Sequence, residues 1–163
     1  MRFTIKLLFI AILSATLGCH TGNTGSAFPE GCVEQGLQFN GKNLEISIDS
    51  EQRLYLIQNI SDKSFWLNHS ASKDPGASAG WASEIEAGNW STITISNIPG
   101  EFVMNCSEIG DGSVDYLDCR NVIQACRLVD AKFNSENSGS YWLAENKSLN
   151  SNLAAITSRG ISW

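Results

Sequence analysis

Positive charge is scarce in this sequence. Lys and Arg number 11 against 17 Asp and Glu, a formal charge of −6. The first 18 residues hold Arg2 and Lys6 and no acid, so without them Lys plus Arg falls to 9 and the charge to −8. No basic face remains for phosphate backbones or anionic headgroups, which excludes nucleic acid and anionic lipid as partners. A basic protein partner remains compatible with the charge, although solubility alone accounts for it.

Histidine is rarer still, with only His20 and His69. His69 lies in "WLNHSAS" beside Ser70. Neighbours along a strand point to opposite faces, so the two do not form a Ser-His couple. His69 reads as a solvated strand-end side chain. No serine sits in a G-x-S-x-G elbow, and no C-x-x-C marks a redox or paired zinc site. The 17 acids single out no carboxylate pair of the glycosidase kind. The stretch "EIGDGSVDYLDC" gathers Glu108, Asp111, Asp115 and Asp118 without the spacing of a calcium loop, and reads as a solvated acidic loop. The sequence therefore predicts no catalytic residue, no metal site and no cofactor.

Long hydrophobic runs are missing as well. The one apolar stretch, "LLFIAILSATL" from Leu7 to Leu17, falls short of the ~20 residues of a membrane span. Behind Arg2 and Lys6, and followed by small residues, it reads as a secretory signal over residues 1–18. The remainder has the length of one domain with its own core.

An exported chain meets an oxidising compartment in which cysteines pair, and there are five: Cys19, Cys32, Cys106, Cys119 and Cys126. The odd one needs a role. "Thr16-Leu17-Gly18-Cys19" resembles a relaxed bacterial lipobox, with Thr16 where Leu is usual. Cys19 would then carry lipid, the only membrane attachment expected, and four cysteines would remain for two disulfides. Cleavage after Gly18, or after Ala27 in "Gly25-Ser26-Ala27", is the rival, and the second site also leaves an even count. The lipobox is the preferred reading. Four cysteines allow three pairings. If Cys106 and Cys126 lie on neighbouring strands they bridge each other, leaving Cys32 for Cys119.

Residues 19–31, ending "HTGNTGSAFPEG", read as a flexible tether, and 32–163 as the domain. The domain is a series of short strand-like runs separated by turn signals: "LEISID", "RLYLIQNI", "SFWLN", "GWASEI", "WSTITIS", "EFVMNCS", "NVIQACRLV" and "SYWLAEN". Regular spacing and short turns predict an antiparallel, immunoglobulin-like β-sandwich. One helix is predicted near the end. Ser148 is its cap, Leu149, Leu153 and Ile156 form its apolar stripe, and Gly160 closes it.

Five tryptophans are many for this length: Trp66, Trp81, Trp90, Trp142 and Trp163. Trp66 and Trp142 lie within apolar runs and read as core. Trp81 and Trp90 flank the turn in "GWASEIEAGNWS" and are the candidates for contact with a partner or a glycan. Asp111, Asp115, Tyr116 and Asp118 of the acidic stretch join them as candidate contacts. Trp163 alone, without a ladder of alternating segments, does not indicate a membrane barrel.

"GWASEIEAGNWSTI", "NCSEIGDGSVDYLDCRNVIQAC" and "SYWLAENKS" together resemble the enhanced-entry protein B family of Legionella and related intracellular bacteria, over about residues 60–147. The most specific part is the order Cys106, acidic loop, Tyr116, Cys119, Cys126, Tyr141-Trp142. The resemblance implies a small, non-enzymatic envelope protein, periplasmic or at the cell surface, linked to host-cell entry or intracellular growth. It also implies a partner built of Sel1-like helical repeats, and it brings no catalytic residue. A glycan-binding module using the same aromatics, on peptidoglycan or host sugar, is the alternative.

Overall fold

A computed structural model describes residues 28–34, 37–48, 51–69, 81–95, 100–110, 112–134 and 141–163. The signal, Cys19 and most of the tether lie outside the described residues. Two antiparallel sheets pack face to face. The first joins β1 (Cys32–Val33), β10 (Ile123–Leu128), β4 (Arg53–Asn59), β7 (Trp90–Ile95) and β11 (Tyr141–Lys147), in that order. The second runs β2 (Leu37–Asn40), β3 (Asn43–Ile48), β8 (Gly100–Gly110), β5 (Phe65–His69) and β6 (Trp81–Ile85), with β9 (Ser113–Leu117) paired to β8 alone.

Alternation builds the core. Leu44 and Ile46, Tyr55 and Ile57, Phe65 and Leu67, Ile93 and Ile95, and Phe102 and Met104 occupy every second position of their strands. Because the side-chain period of a strand is two, all ten point between the sheets and are buried. The expected β-sandwich is thus the architecture of the chain.

Its centre has immunoglobulin-type pairing. β4 lies against β7 in one sheet and β5 against β8 in the other, like the B–E and C–F pairs of that fold. The edges are exchanged. β3, which precedes β4 in the chain, sits in the opposite sheet beside β8, where an immunoglobulin domain puts its last strand. β10 lies beside β4, where such a domain puts its first.

A second cluster covers the outer face of the β4 sheet. Helix α2 (Leu149–Ser158) lays Ile156 on Leu54, Leu56, Trp90 and Leu128, with Phe28, Phe133, Leu149 and Leu153 around them. The predicted cap is in place, since the Ser148 hydroxyl accepts from the Ser151 amide at 3.3 Å. Gly160, at φ +76°, takes the left-handed turn after the helix. No helix among the described residues is long and apolar enough to cross a membrane.

The disulfides are Cys32–Cys126 and Cys106–Cys119, each with Cα atoms 5.4 Å apart. This corrects the expected pairing. Cys106 lies on β8 and points between the sheets, whereas Cys126 lies on β10 in the other sheet and points to the outer cluster. They are not neighbours. Cys119 opens α1 (Cys119–Val122), a single turn capped by Asp118, and this brings it under Cys106. Two disulfides fit an oxidising environment outside the cytoplasm.

Candidate functional site

The expected acidic loop is a hairpin. β8 runs on to Gly110, pairs with Ser113, and returns as β9. Asp111-Gly112 occupies the two-residue connection, a sequence favoured in such turns, and Gly112 has φ +81°. Asp111 itself lies outside the described residues. Residues 113–116 of β9 are exposed, Val114 at 52 % and Tyr116 at 60 %.

The candidate contacts separate on this frame. Asp115 and Tyr116 are exposed on β9, as a contact surface requires. Asp118 is half-buried and spends its carboxylate on α1, where Oδ1 accepts from the Arg120 amide at 3.0 Å. The Trp81 backbone belongs to β6, but its side chain lies outside what is described, as does that of Trp142 on β11.

Trp90 is not a surface residue. It is 4 % exposed, in edge contact with Phe28 at 6.4 Å between ring centroids and covered by the helix cluster. Conversely, Trp66 is not core. It alternates with buried Phe65 and Leu67, and so projects from the outer face of the β5 sheet, half-exposed and apart from both apolar clusters.

His69 also departs from expectation. It is 6 % exposed, stacks on Phe102 at 3.9 Å and sets Nδ1 2.9 Å from the Val103 carbonyl oxygen. It shares the inner face of β5 with Phe65 and Leu67, so the alternation of the strand carries it into the core between the sheets. Its neighbour Ser70 lies outside the described residues. Among the described residues no three His, Cys, Asp or Glu side chains gather as metal ligands.

A cleft that the sequence did not indicate opens at one margin of the sandwich. It holds about 330 Å³ between the sheets, lined by Glu34, Leu37, Phe39, Arg120, Ile123, Gln124 and Ala125. β2 ends the second sheet here, and among the described residues no strand pairs with its outer edge. Across the cleft, β1 pairs only with Arg127 and Leu128 of β10. The margin therefore offers apolar side chains beside strand edges. Arg120 lies over the Phe39 ring at 5.7 Å and Glu34 is on the opposite wall, so the mouth carries both signs of charge. The signal for β2 was present in "FNGKNLEI": Asn40-Gly41 starts a tight hairpin, with Gly41 at φ +59° and Asn40 paired to Asn43.

Comparison of the chain with family models, curated proteins and solved structures finds no match.

Proposed function

We propose that the chain is a non-enzymatic envelope protein that works by binding a protein partner in support of host-cell entry or intracellular growth. The observation that carries the reading is the marginal cleft. Half-buried Leu37 and Phe39 stand beside strand edges there, and an extended segment from another protein adds to such an edge while its side chains fill the pocket. The resemblance to the enhanced-entry protein B family supports the biological role and names the partner type, an envelope protein of Sel1-like repeats. The basic start, short apolar run and lipobox-like "TLGC" support export and anchoring through lipid on Cys19, at the periplasm or cell surface.

The test is cross-linking of tagged protein in its native envelope, followed by mass spectrometry of what co-purifies. Leu37→Glu and Arg120→Glu, both at the cleft, are compared with the parent chain. The reading expects one dominant repeat-protein partner, lost in both variants while their melting points stay close to the parent's. Equal recovery by all three chains overturns the cleft as the contact. Absence of any specific protein overturns the reading.

A further inference from the structure

The two outer faces of the sandwich differ. One is sealed by α2 and the Phe28 and Phe133 segments. On the other, no described element lies over β5, β8 and β9. Cross-strand register places Glu84, Trp66, Ser107 and Tyr116 in one row across it, since Trp66 pairs with both Glu84 and Ser107, and Ser107 pairs with Tyr116. Directly paired residues share a face, so the indole and the phenol flank Ser107 on either side. Ser107 is 2 % exposed, lying as a floor between them, and its hydroxyl takes a 2.9 Å hydrogen bond from Asn68.

We propose that this row is a binding site for a neutral, β-1,4-linked glycan chain. Three observations carry it. Trp66 and Tyr116 stand two strand spacings apart, about 10 Å, which is about the length of a disaccharide. Two rings at that interval support alternate sugar rings, whose apolar C–H faces pack on the negative face of an aromatic. Beside the row stand Asn68 and Asn105, paired across β5 and β8. Asn68 spends Nδ2 on the Trp66 carbonyl and Ser107 Oγ, which leaves its Oδ1 to accept from a hydroxyl, and the Asn105 carboxamide can donate as well as accept.

Charge provides the third observation. Register puts Glu45 and Glu84 on the same side as the row, whereas Glu108 and Asp115 pair with each other on the opposite side. Lys42 donates from Nζ to the Tyr116 carbonyl oxygen at 2.9 Å beside the row. The carboxylates of Glu45 and Glu84 disfavour a polyanionic chain. A neutral chain meets no such penalty, and Glu84 at the end of the row gives its hydroxyls a carboxylate acceptor. The row is separate from the cleft at β2, so the site goes beyond the protein-partner reading and each stands or falls by its own test.

The experiment is isothermal titration of the purified chain with two neutral hexasaccharides, one of N-acetylglucosamine and one of glucose, both β-1,4-linked. The proposal expects saturable binding of at least one, indifferent to added salt. Trp66→Ala and Tyr116→Ala should each weaken it about tenfold, the scale of one aromatic contact, whereas Tyr116→Phe should retain it. Tyr116 is 60 % exposed, so its variants read binding without a folding penalty. Binding of neither hexasaccharide overturns the proposal. So does binding that survives both alanine variants, or a response confined to a lysine-rich peptide and abolished by salt, which would mark the face as a dock for a basic protein.

Discussion

Thr92 on β7 and Asn152 on α2 are joined by a 2.7 Å hydrogen bond, although 60 residues separate them in the chain. Both are fully buried. The same asparagine donates from Nδ2 to the carbonyls of Trp90, Lys147 and Ser148 at 3.0, 3.2 and 3.1 Å. One amide therefore satisfies the start of β7, the end of β11 and the first turn of α2. It fixes the helix on the sheet in one register, which apolar contact alone does not specify.

Replacing Asn152 with Leu should accordingly cost more than any loss of volume explains. The hydroxyl of Thr92 and the Trp90 carbonyl would remain buried, each losing its bond to the amide. Leaving buried polar groups unsatisfied costs about 1–3 kcal/mol each, so with two such groups urea unfolding should show a loss of about 2–6 kcal/mol. Thr92→Val removes one bond of this set and should cost about 1 kcal/mol. Equal losses in the two variants would show that the asparagine does not organise the junction.

The disulfides close loops of different length. Cys32–Cys126 spans 94 residues and Cys106–Cys119 spans 13. Cross-linking stabilises mainly by restricting the unfolded chain, and more so for the longer loop. The double alanine variant at 32 and 126 should lose above about 4 kcal/mol, and the one at 106 and 119 about 3 kcal/mol. Urea midpoints measured without reductant check the order, and non-reduced peptide mapping checks the connectivity.

Strand identity was legible wherever alternation or β-branching was strong, as in "LEISID" and "WSTITIS". What lies outside a strand was not legible. Trp90, Thr92 and Thr94 alternate with Ile93 and Ile95, and the pattern reads as one wet face and one dry face. The helix that covers the wet face is 55 residues or more further along the chain. Its apolar stripe was visible, but not the face on which it lands. The same gap misplaced Trp66: an apolar neighbourhood in sequence is not an apolar neighbourhood in space, because alternate residues of a strand look opposite ways. The hairpin at Asp111-Gly112 was legible and was obscured by its charge. The cleft was not, since Phe39 and Ile123 meet only through the packing of two sheets.

Gly160 gives a local test of the helix exit. A Cβ added there would lie 2.9 Å from Asn134 Nδ2, and the residue sits at φ +76°. Conformation and space both oppose a side chain, so Gly160→Ala should destabilise by about 1–2 kcal/mol. Gly88, at φ +75° with nothing within 4 Å, isolates the conformational part. Gly88→Ala should cost less, and thermal melts of the two variants measure the difference.

The two tryptophans whose positions the fold reverses give the sharpest contrast. Trp90 is 4 % exposed and packs with Leu54, Leu56 and Ile156 beneath the helix. Removing its ring empties the second cluster, and Trp90→Ala should cost about 3–5 kcal/mol. Trp66 stands on the open face outside both clusters, and Trp66→Ala should stay near the ordinary surface range, below about 1 kcal/mol. Acrylamide quenching reads the same difference optically. Trp90→Phe should remove emission that the quencher does not reach, and Trp66→Phe emission that it does. The opposite assignment would mean that α2 does not cover the β4 sheet in solution, and the open face would then be the one the helix now seals.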